Sequence, residues 1–579
     1  MKIDKKGTII YNLKSLWKIL SPHEKKKSYI FLLMIVSQVL LETASIGSLY
    51  PFFVNLFSTS NVPSQEIWFN FKFLENFIED KSVFFNLSII IIFFFLLKNL
   101  FLIFVVHWTQ TFERELKLRL KKKLLNIYLF KDYLFHISRD TAKLVRNINT
   151  ATDTIMKSLA IAMVFFTDIF MLIGLIILMS LINIYFILAA LTVVSFISIL
   201  YFYFFKKILI TYGGYTFEFQ GEALKRLLQT FSMIKEIKIF NKENFFVNIF
   251  YKEESKFQIY QRKAYIIRSY LKPFFEMLFV VGLIIFFNII SIGKDDIAST
   301  LPQLAIFTVV LLRLIPSMNK IITSLQRQNQ YYATIESVYE DLIIDEKKLI
   351  LKNYEDLNIK KFDSIELQNI YFKYPNKQNY ILENFSLKIN KGEYIGIIGD
   401  SGSGKSTLVD IIIGLLNIEK GDICLNNKKI NPENPNWKNL FSYVPQTVNI
   451  FNDSFLSNIT FELDDKKIDQ IKFNNAIRYS GLNNFINKIN NDYSTNLGEI
   501  GAKISGGERQ RVSIARALYK DTDIIIFDEA FNSLDLITKK KILDEIKLIS
   551  KIKTIISISH FREDLINCDK IIDLNNLNK

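Results

Sequence analysis

Apolar residues gather in six long stretches in the first part of the chain: Tyr29–Phe57, Val83–Trp108, Ser158–Ile182, Ile184–Phe205, Phe274–Gly293 and Leu301–Thr323. A helix needs about 20 apolar residues to cross a hydrocarbon core of roughly 30 Å, and each stretch is long enough. Little more than Asn183 separates the third stretch from the fourth, which predicts a tight hairpin. Long polar segments, Thr111–Thr154 and Lys206–Pro273, follow the second and fourth stretches. In the second segment, Leu224, Leu227, Leu228, Phe231 and Ile234 recur at helical spacing. Such helices continue the membrane helices outward by about 25 Å or more, at 1.5 Å per residue. Beyond Ser324 the apolar density falls. A charged stretch, Glu340–Asp363, leads into short β-type runs alternating with helical ones, the mark of an α/β domain. The pattern therefore predicts a multidomain chain. A segment over 1–28 precedes an all-α six-helix transmembrane domain over 29–339; a linker over 340–363 leads to an α/β domain over 364–579.

Composition agrees with two solvents: half of the residues are hydrophobic and 52 are Phe, concentrated before the linker. The net charge of +15 does not mark a nucleic-acid binder, because the basic residues lie in loops between apolar runs rather than on one face of a soluble fold. Their placement is informative about topology instead. Thr111–Asn147 carries Arg114, Lys117, Arg119, Lys121, Lys122, Lys123, Lys131, Arg139, Lys143 and Arg146 against four acids. The loop Ser58–Ser82 carries Lys72 and Lys81 against Glu66, Glu75, Glu79 and Asp80. Basic loops stay in the cytoplasm, so both termini and the α/β domain are expected there, on a multi-pass membrane protein. The charged first 28 residues do not read as a cleaved signal, and Lys14–Leu20 reads either as an amphipathic surface helix or as a solvated start. Cys424, Cys568 and four scattered histidines support neither a disulfide framework nor a metal site of their own.

The chemistry lies past the linker. The apolar run Tyr394–Ile398 leads into Gly399, Asp400, Ser401, Gly402, Ser403, Gly404, Lys405 and Ser406, followed by Thr407. This fits the P-loop template, G-x-x-x-x-G-K-[ST]. Its glycines let backbone N–H groups close around phosphate oxygens, and the following helix adds the positive end of its dipole. Lys405 is expected to reach the β- and γ-phosphates of ATP, and the Ser406 hydroxyl to ligate Mg²⁺. A second apolar run, Ile524–Phe527, ends in Asp528 and Glu529. Asp528 is expected to hold the Mg²⁺ shell and Glu529 to orient and polarise the attacking water. Alone, each motif has a plain structural reading, a glycine turn or a solvated acid pair. Their presence in one domain favours nucleotide hydrolysis.

At this point the chain resembles the ATP-binding cassette (ABC) transporters. Ile504-Ser505-Gly506-Gly507-Glu508-Arg509-Gln510 is similar to the family signature, with Glu508 where Gln is usual. Pro445-Gln446 resembles the Q-loop, Gly498-Glu499-Ile500-Gly501 the exporter X-loop, and Asn532-Ser533-Leu534-Asp535 the D-loop. His560 resembles the switch histidine, followed here by Phe561-Arg562, and Tyr374 the aromatic that stacks on adenine. The resemblance implies an exporter-type fold whose ATP hydrolysis is coupled to transport. It implies that Glu529, His560 and Gln446 are catalytic and that Ser406, Gln446 and Asp528 hold Mg²⁺. It also implies that Ser505, Gly506, Gly507, Glu508 and Asp535 meet the nucleotide held by a second copy of the chain. A homodimer is thus expected, with a hetero-partner as the alternative. The family layout implies contacts that carry the motion near Ser138–Val145 and Leu224–Met233.

Charges inside membrane segments are costly and mark function by default. Lys98, Lys272, Arg313 and Lys320 are the candidates for a cavity that holds an anionic group. Arg313 and Lys320, seven apart, share a helix face. The structural readings are snorkelling of Lys272 or pairing with Glu276, head-group contact for Lys320, and pairing of Glu42 with one of the cations. Leu312–Ser317, Asn319–Ser324, Ser406–Leu416 and Leu456–Phe461 resemble the bacterial lipid-linked oligosaccharide flippases of protein N-glycosylation. That resemblance implies basic cavity residues against a pyrophosphate. It also implies an outer-interface element over Trp68, Phe69, Phe71, Phe73 and Phe77 against a lipid tail.

Overall fold

The computed structural model describes residues 9–57, 83–180, 184–270, 273, 277, 280, 281, 284, 301–345, 362–375, 377–462, 464–498, 501 and 503–576. The loop Ser58–Ser82, Lys272, Glu499, Ile500, most of the linker and most of the fifth apolar stretch lie outside them. The chain separates into two compact units. One is Met1–Lys131 with His136–Leu351; the other is Lys352–Lys579 with Asp132–Phe135.

The first unit is helical throughout its described residues. It contains Ile9–Ile19, Pro22–Gly47, Leu49–Phe57, Val83–Leu129, Thr152–Ser180, Ile184–Ser232, Glu243–Ser269 and Leu301–Tyr339, with shorter helices between. Four spans among the described residues have the length and apolarity to cross a membrane: Pro22–Phe53, Phe84–Leu129, Thr141–Ser180 and Thr308–Ile343. They contain most of the first, second, third and sixth expected stretches, and the fourth lies within Ile184–Ser232. The first membrane helix starts at Pro22, before the apolar run. Ser21 caps it through a reciprocal box with Glu24, and Pro22 fixes the first turn, so local cap chemistry and not apolarity sets its start.

Val83–Leu129 is 47 residues long and Ile184–Ser232 is 49, about 70 Å each at 1.5 Å per residue, roughly twice a membrane core. The expected outward continuation of membrane helices is therefore present. Gly213 lets two of them meet. A Cβ there would collide with the backbone carbonyl of Gln330, so only glycine permits that approach. Helix Ile184–Ser232 stops at Ser232 and a new turn begins at Ile234, although Glu222–Lys235 has one unbroken helical pattern; nothing in the structure explains the break. The ends of the long helices are tied by polar contacts. The Tyr128 hydroxyl donates to Asp341 at 2.5 Å, and the Asn147 amide donates to both, at 3.1 and 3.2 Å.

The second unit has two sheets. β1 (Ser364–Phe372), β2 (Leu382–Asn390), β4 (Lys420–Leu425) and β5 (Lys428–Lys429) form an antiparallel sheet in the order β2-β1-β4-β5. β3 (Tyr394–Ile398), β6 (Phe441–Val444), β7 (Ile524–Asp528), β8 (Thr554–Ile558) and β9 (Lys570–Asp573) form a parallel sheet in the order β6-β7-β8-β3-β9. The buried strands read as continuous aliphatic runs, as parallel strands covered on both faces do. Trp437 is fully buried in the shared core, and its indole N–H donates to Ile412 O at 3.0 Å.

Candidate active site

In an open parallel sheet, ligand groups collect beyond the carboxyl ends of the strands. Four of those ends converge here. β3 runs into the loop Gly399–Gly404, β6 into Pro445-Gln446, β7 ends at Asp528-Glu529, and β8 leads to His560. Register places Ile397 and Asp528 opposite Ile558, and Val444 opposite Phe527, so all four ends lie level.

The P-loop folds around its own lysine. Gly402 and Gly404 hold φ of +86° and +96°, which L side chains rarely adopt. Lys405 is buried at the first turn of helix Lys405–Ile413 and donates to Gly399 O at 2.7 Å and Asp400 O at 2.9 Å. Burial pushes its pKa below the usual lysine range, while Glu529, Asp400 and Asp528 pull the other way. Its present acceptors are neutral carbonyls, so phosphate oxygens are stronger acceptors for the same charge. Ser401, Gly402 and Ser406 are exposed, and Ser403 is half-buried. The Tyr374 hydroxyl lies 3.4 Å from Thr407 Oγ1, beside this helix.

Glu529 is the hub. It is buried, with φ +51°, an uncommon conformation for a non-glycine residue and one that functional sites retain. Gln446 Nε2 donates to Glu529 Oε2 at 2.7 Å, and Asn532 Nδ2 to the same oxygen at 3.3 Å. His560 Nε2 lies 2.6 Å from Glu529 Oε1. Gln446 and His560, both expected to be catalytic, therefore meet on the carboxylate of the third, Glu529. Asp528 accepts from the Tyr443 hydroxyl at 2.9 Å, and burial pushes its carboxyl above the ordinary range. Asp528, Ser406 and the Gln446 amide oxygen form an all-oxygen donor set, which suits Mg²⁺; the Gln446 contact to Glu529 uses only its nitrogen.

The signature residues form their own group. Ser505 caps helix Gly506–Lys520 in a reciprocal box with Glu508. Hydrogen bonds of Ser505 and Glu508 run to each other and to Lys488. Asp535 caps helix Leu536–Ile549, accepting from Thr538 N at 2.9 Å. In the membrane helices, Glu42 takes both Lys98, at 3.2 Å, and Arg313, at 2.9 Å, while Lys320 lies 4.0 Å from Asp168. The structure brings three of the four cavity candidates onto carboxylates.

Two residues near the site have no motif to announce them. Tyr443 reaches Asp528 only because β6 pairs with β7. Asp410 lies on the P-loop helix, where burial, with repulsion from Asp528, pushes its pKa to about 6. A carboxyl held above its unfolded value binds more protons folded than unfolded, so stability falls as pH rises from about 4 to about 6 and stays lower above that. Asp410→Asn is expected to stabilise this unit by about 1 kcal/mol at pH 8, after discounting the shift for partial exposure, and by less at pH 5. Thermal melts of both proteins at the two pH values measure this; an equal gain at both contradicts it.

Known proteins match both units. Residues 48–318 match the family model described as ABC transporter transmembrane region, and residues 382–532 the one described as ABC transporter. A Rickettsia typhi protein described as an export ATP-binding/permease protein is 38% identical over 232 residues, 40% of each chain. An ATP-dependent lipid A-core flippase of Aliivibrio fischeri is 30% identical over 320 residues, 54% of this chain and 53% of the relative. The chain thus spans about half the length, or less, of these relatives. A solved bacterial Atm1-family ABC exporter with ATP bound shares the fold at a TM-score of 0.75, covering 95% of this chain and 94% of that one at 19% identity.

Proposed function

Since this chain belongs to the ABC exporters, with transmembrane and ATP-binding domains fused in a half-transporter, we propose that a homodimer of it hydrolyses ATP to flip an amphipathic, phosphate-bearing lipid across the bacterial inner membrane. A lipid-linked oligosaccharide is the substrate class that fits best. The carrying observation is the triad of Glu529, Gln446 and His560 beside Lys405 and Asp528 at the carboxyl edge of one sheet. Lys405 meets the phosphates, Glu529 holds the attacking water and takes up its proton, and Gln446 and His560 keep the Glu529 carboxylate aimed. Ser406, Asp528 and the Gln446 amide oxygen would hold Mg²⁺, which would neutralise charge on the phosphates.

The second copy in this reading follows from the family resemblance, in which the Ser505 group, capping its own helix Gly506–Lys520, meets the nucleotide held by a partner. Exposed Phe231, Ile239 and Phe240 around the break at Met233 give the first unit an apolar surface of the kind that marks protein contacts. The anionic substrate is supported by two cations on one carboxylate. Lys98 and Arg313 leave the Glu42 cluster with one net positive charge among apolar helices. Lys320, on the Arg313 helix, lies against Asp168, and Lys272 completes the proposed cavity set. The alternative cargo is another lipid, a drug or a peptide. A relative named for alpha-hemolysin translocation, 37% identical over 213 residues, keeps the peptide reading in view.

Reconstituted proteoliposomes holding a fluorescent polyprenyl-pyrophosphate glycan test this. ATP with Mg²⁺ is expected to move the glycan between leaflets, and Arg313→Ala to slow the movement several-fold. Movement of other lipids or peptides in its place establishes the alternative cargo; ATPase activity that moves nothing makes the chain a membrane-tethered ATPase.

A further inference from the structure

The signature serine of this chain is not free to donate. Ser505 Oγ accepts from Glu508 N at 3.2 Å, as a helix cap does, and donates its only proton to Glu508 Oε2 at 2.9 Å. The same carboxylate oxygen also accepts Ser505 N–H at 2.8 Å, and the other oxygen accepts Lys488 Nζ at 2.8 Å. Glu508 is buried, with a side chain only 10% exposed, whereas Lys488 is 69% exposed at the end of helix Asn483–Lys488. A buried carboxylate beside an anion-binding serine is a paradox in charge: it repels phosphate and occupies the serine proton. The Lys488 ammonium cancels the first effect.

We propose that Lys488 is a positioning residue of the ATP site, acting through Glu508. It neutralises the carboxylate and keeps it hydrogen-bonded, so the Ser505 hydroxyl can swing its proton from Glu508 to a phosphate oxygen of the nucleotide. This rests on the ATPase reading and deepens it. The exchange costs Glu508 one of its three donors; Ser505 N–H and Lys488 remain, which an isolated carboxylate could not match. Without Lys488, the carboxylate keeps the serine proton and faces the phosphates with its charge uncancelled.

The test is ATP hydrolysis by the full-length protein in nanodiscs, measured for wild type, Lys488→Ala, Lys488→Arg, Glu508→Gln and the double variant Lys488→Ala/Glu508→Gln. Lys488→Ala is expected to raise the KM for ATP about three- to tenfold, more at low than at high salt, with a smaller change in kcat. Lys488→Arg is expected to restore KM. In the Glu508→Gln background, which removes the charge to be cancelled, Lys488→Ala is expected to leave KM within about twofold. An unchanged KM in Lys488→Ala beside an active wild type overturns this proposal alone, as does an equal loss in both backgrounds, which marks a structural lysine. Absence of ATPase activity in the wild type overturns the ATPase reading, and the proposal falls with it.

Discussion

Glu529→Gln is expected to lower kcat for ATP hydrolysis by about 10³-fold, within the range assigned to a positioned general base, while ATP still binds. The structure explains why so small a change does so much. The carboxylate accepts from Gln446, Asn532 and His560 through two oxygens. An amide has one acceptor oxygen and cannot take a proton from water. The P-loop, its lysine and the left-handed backbone at position 529 are untouched, so nucleotide affinity persists. Single-turnover hydrolysis with equilibrium ATP binding checks both halves. A kcat within tenfold of wild type contradicts the role given to Glu529, and lost binding contradicts the separation of binding from chemistry.

The second large effect concerns the membrane helices. Glu42→Ala leaves Lys98 and Arg313 without their shared carboxylate. Each uncompensated cation at a helix centre costs about 2.5–3.5 kcal/mol on insertion scales. The variant is expected to lose most of its folded yield in detergent. Adding Lys98→Met to Glu42→Ala is expected to recover a substantial part of that yield. Size-exclusion profiles and melting curves read the outcome. A Glu42→Ala protein as stable as wild type shows that the ion cluster does not hold the helices together, and that its charges are free for substrate.

The linear motifs were legible because each occupies one strand end and the loop after it: Gly399–Ser406 after β3, Asp528-Glu529 at the end of β7. Chain segments that carry their whole chemistry locally need no fold to be read. The meeting of Gln446 and His560 on Glu529 is a product of sheet order, β6-β7-β8-β3-β9, which places strands far apart in sequence side by side. Sequence supplied those residues through resemblance; the geometry supplies the reason. Tyr443, Asp410 and Lys488 escaped notice for the same reason in reverse, since their partners lie 85, 118 and 20 residues away and no spacing rule connects them. In the membrane half, apolarity located the spans but not their ends. Ser21 and Glu24 start the first membrane helix inside a charged stretch, and Gly213 matters only because Gln330 passes against it. Glu42 was legible as a partner for one cation; that Lys98 and Arg313 converge on it depends on helix packing.

The most direct measurement is a cryo-EM structure of the Glu529→Gln protein with ATP and Mg²⁺ in a lipid nanodisc. The account predicts two chains and two nucleotides, each with its phosphates on Lys405 of one chain and under Ser505 of the other. Nucleotides enclosed by Lys405 and Ser505 of the same chain, or a single chain holding ATP with no partner, contradict it.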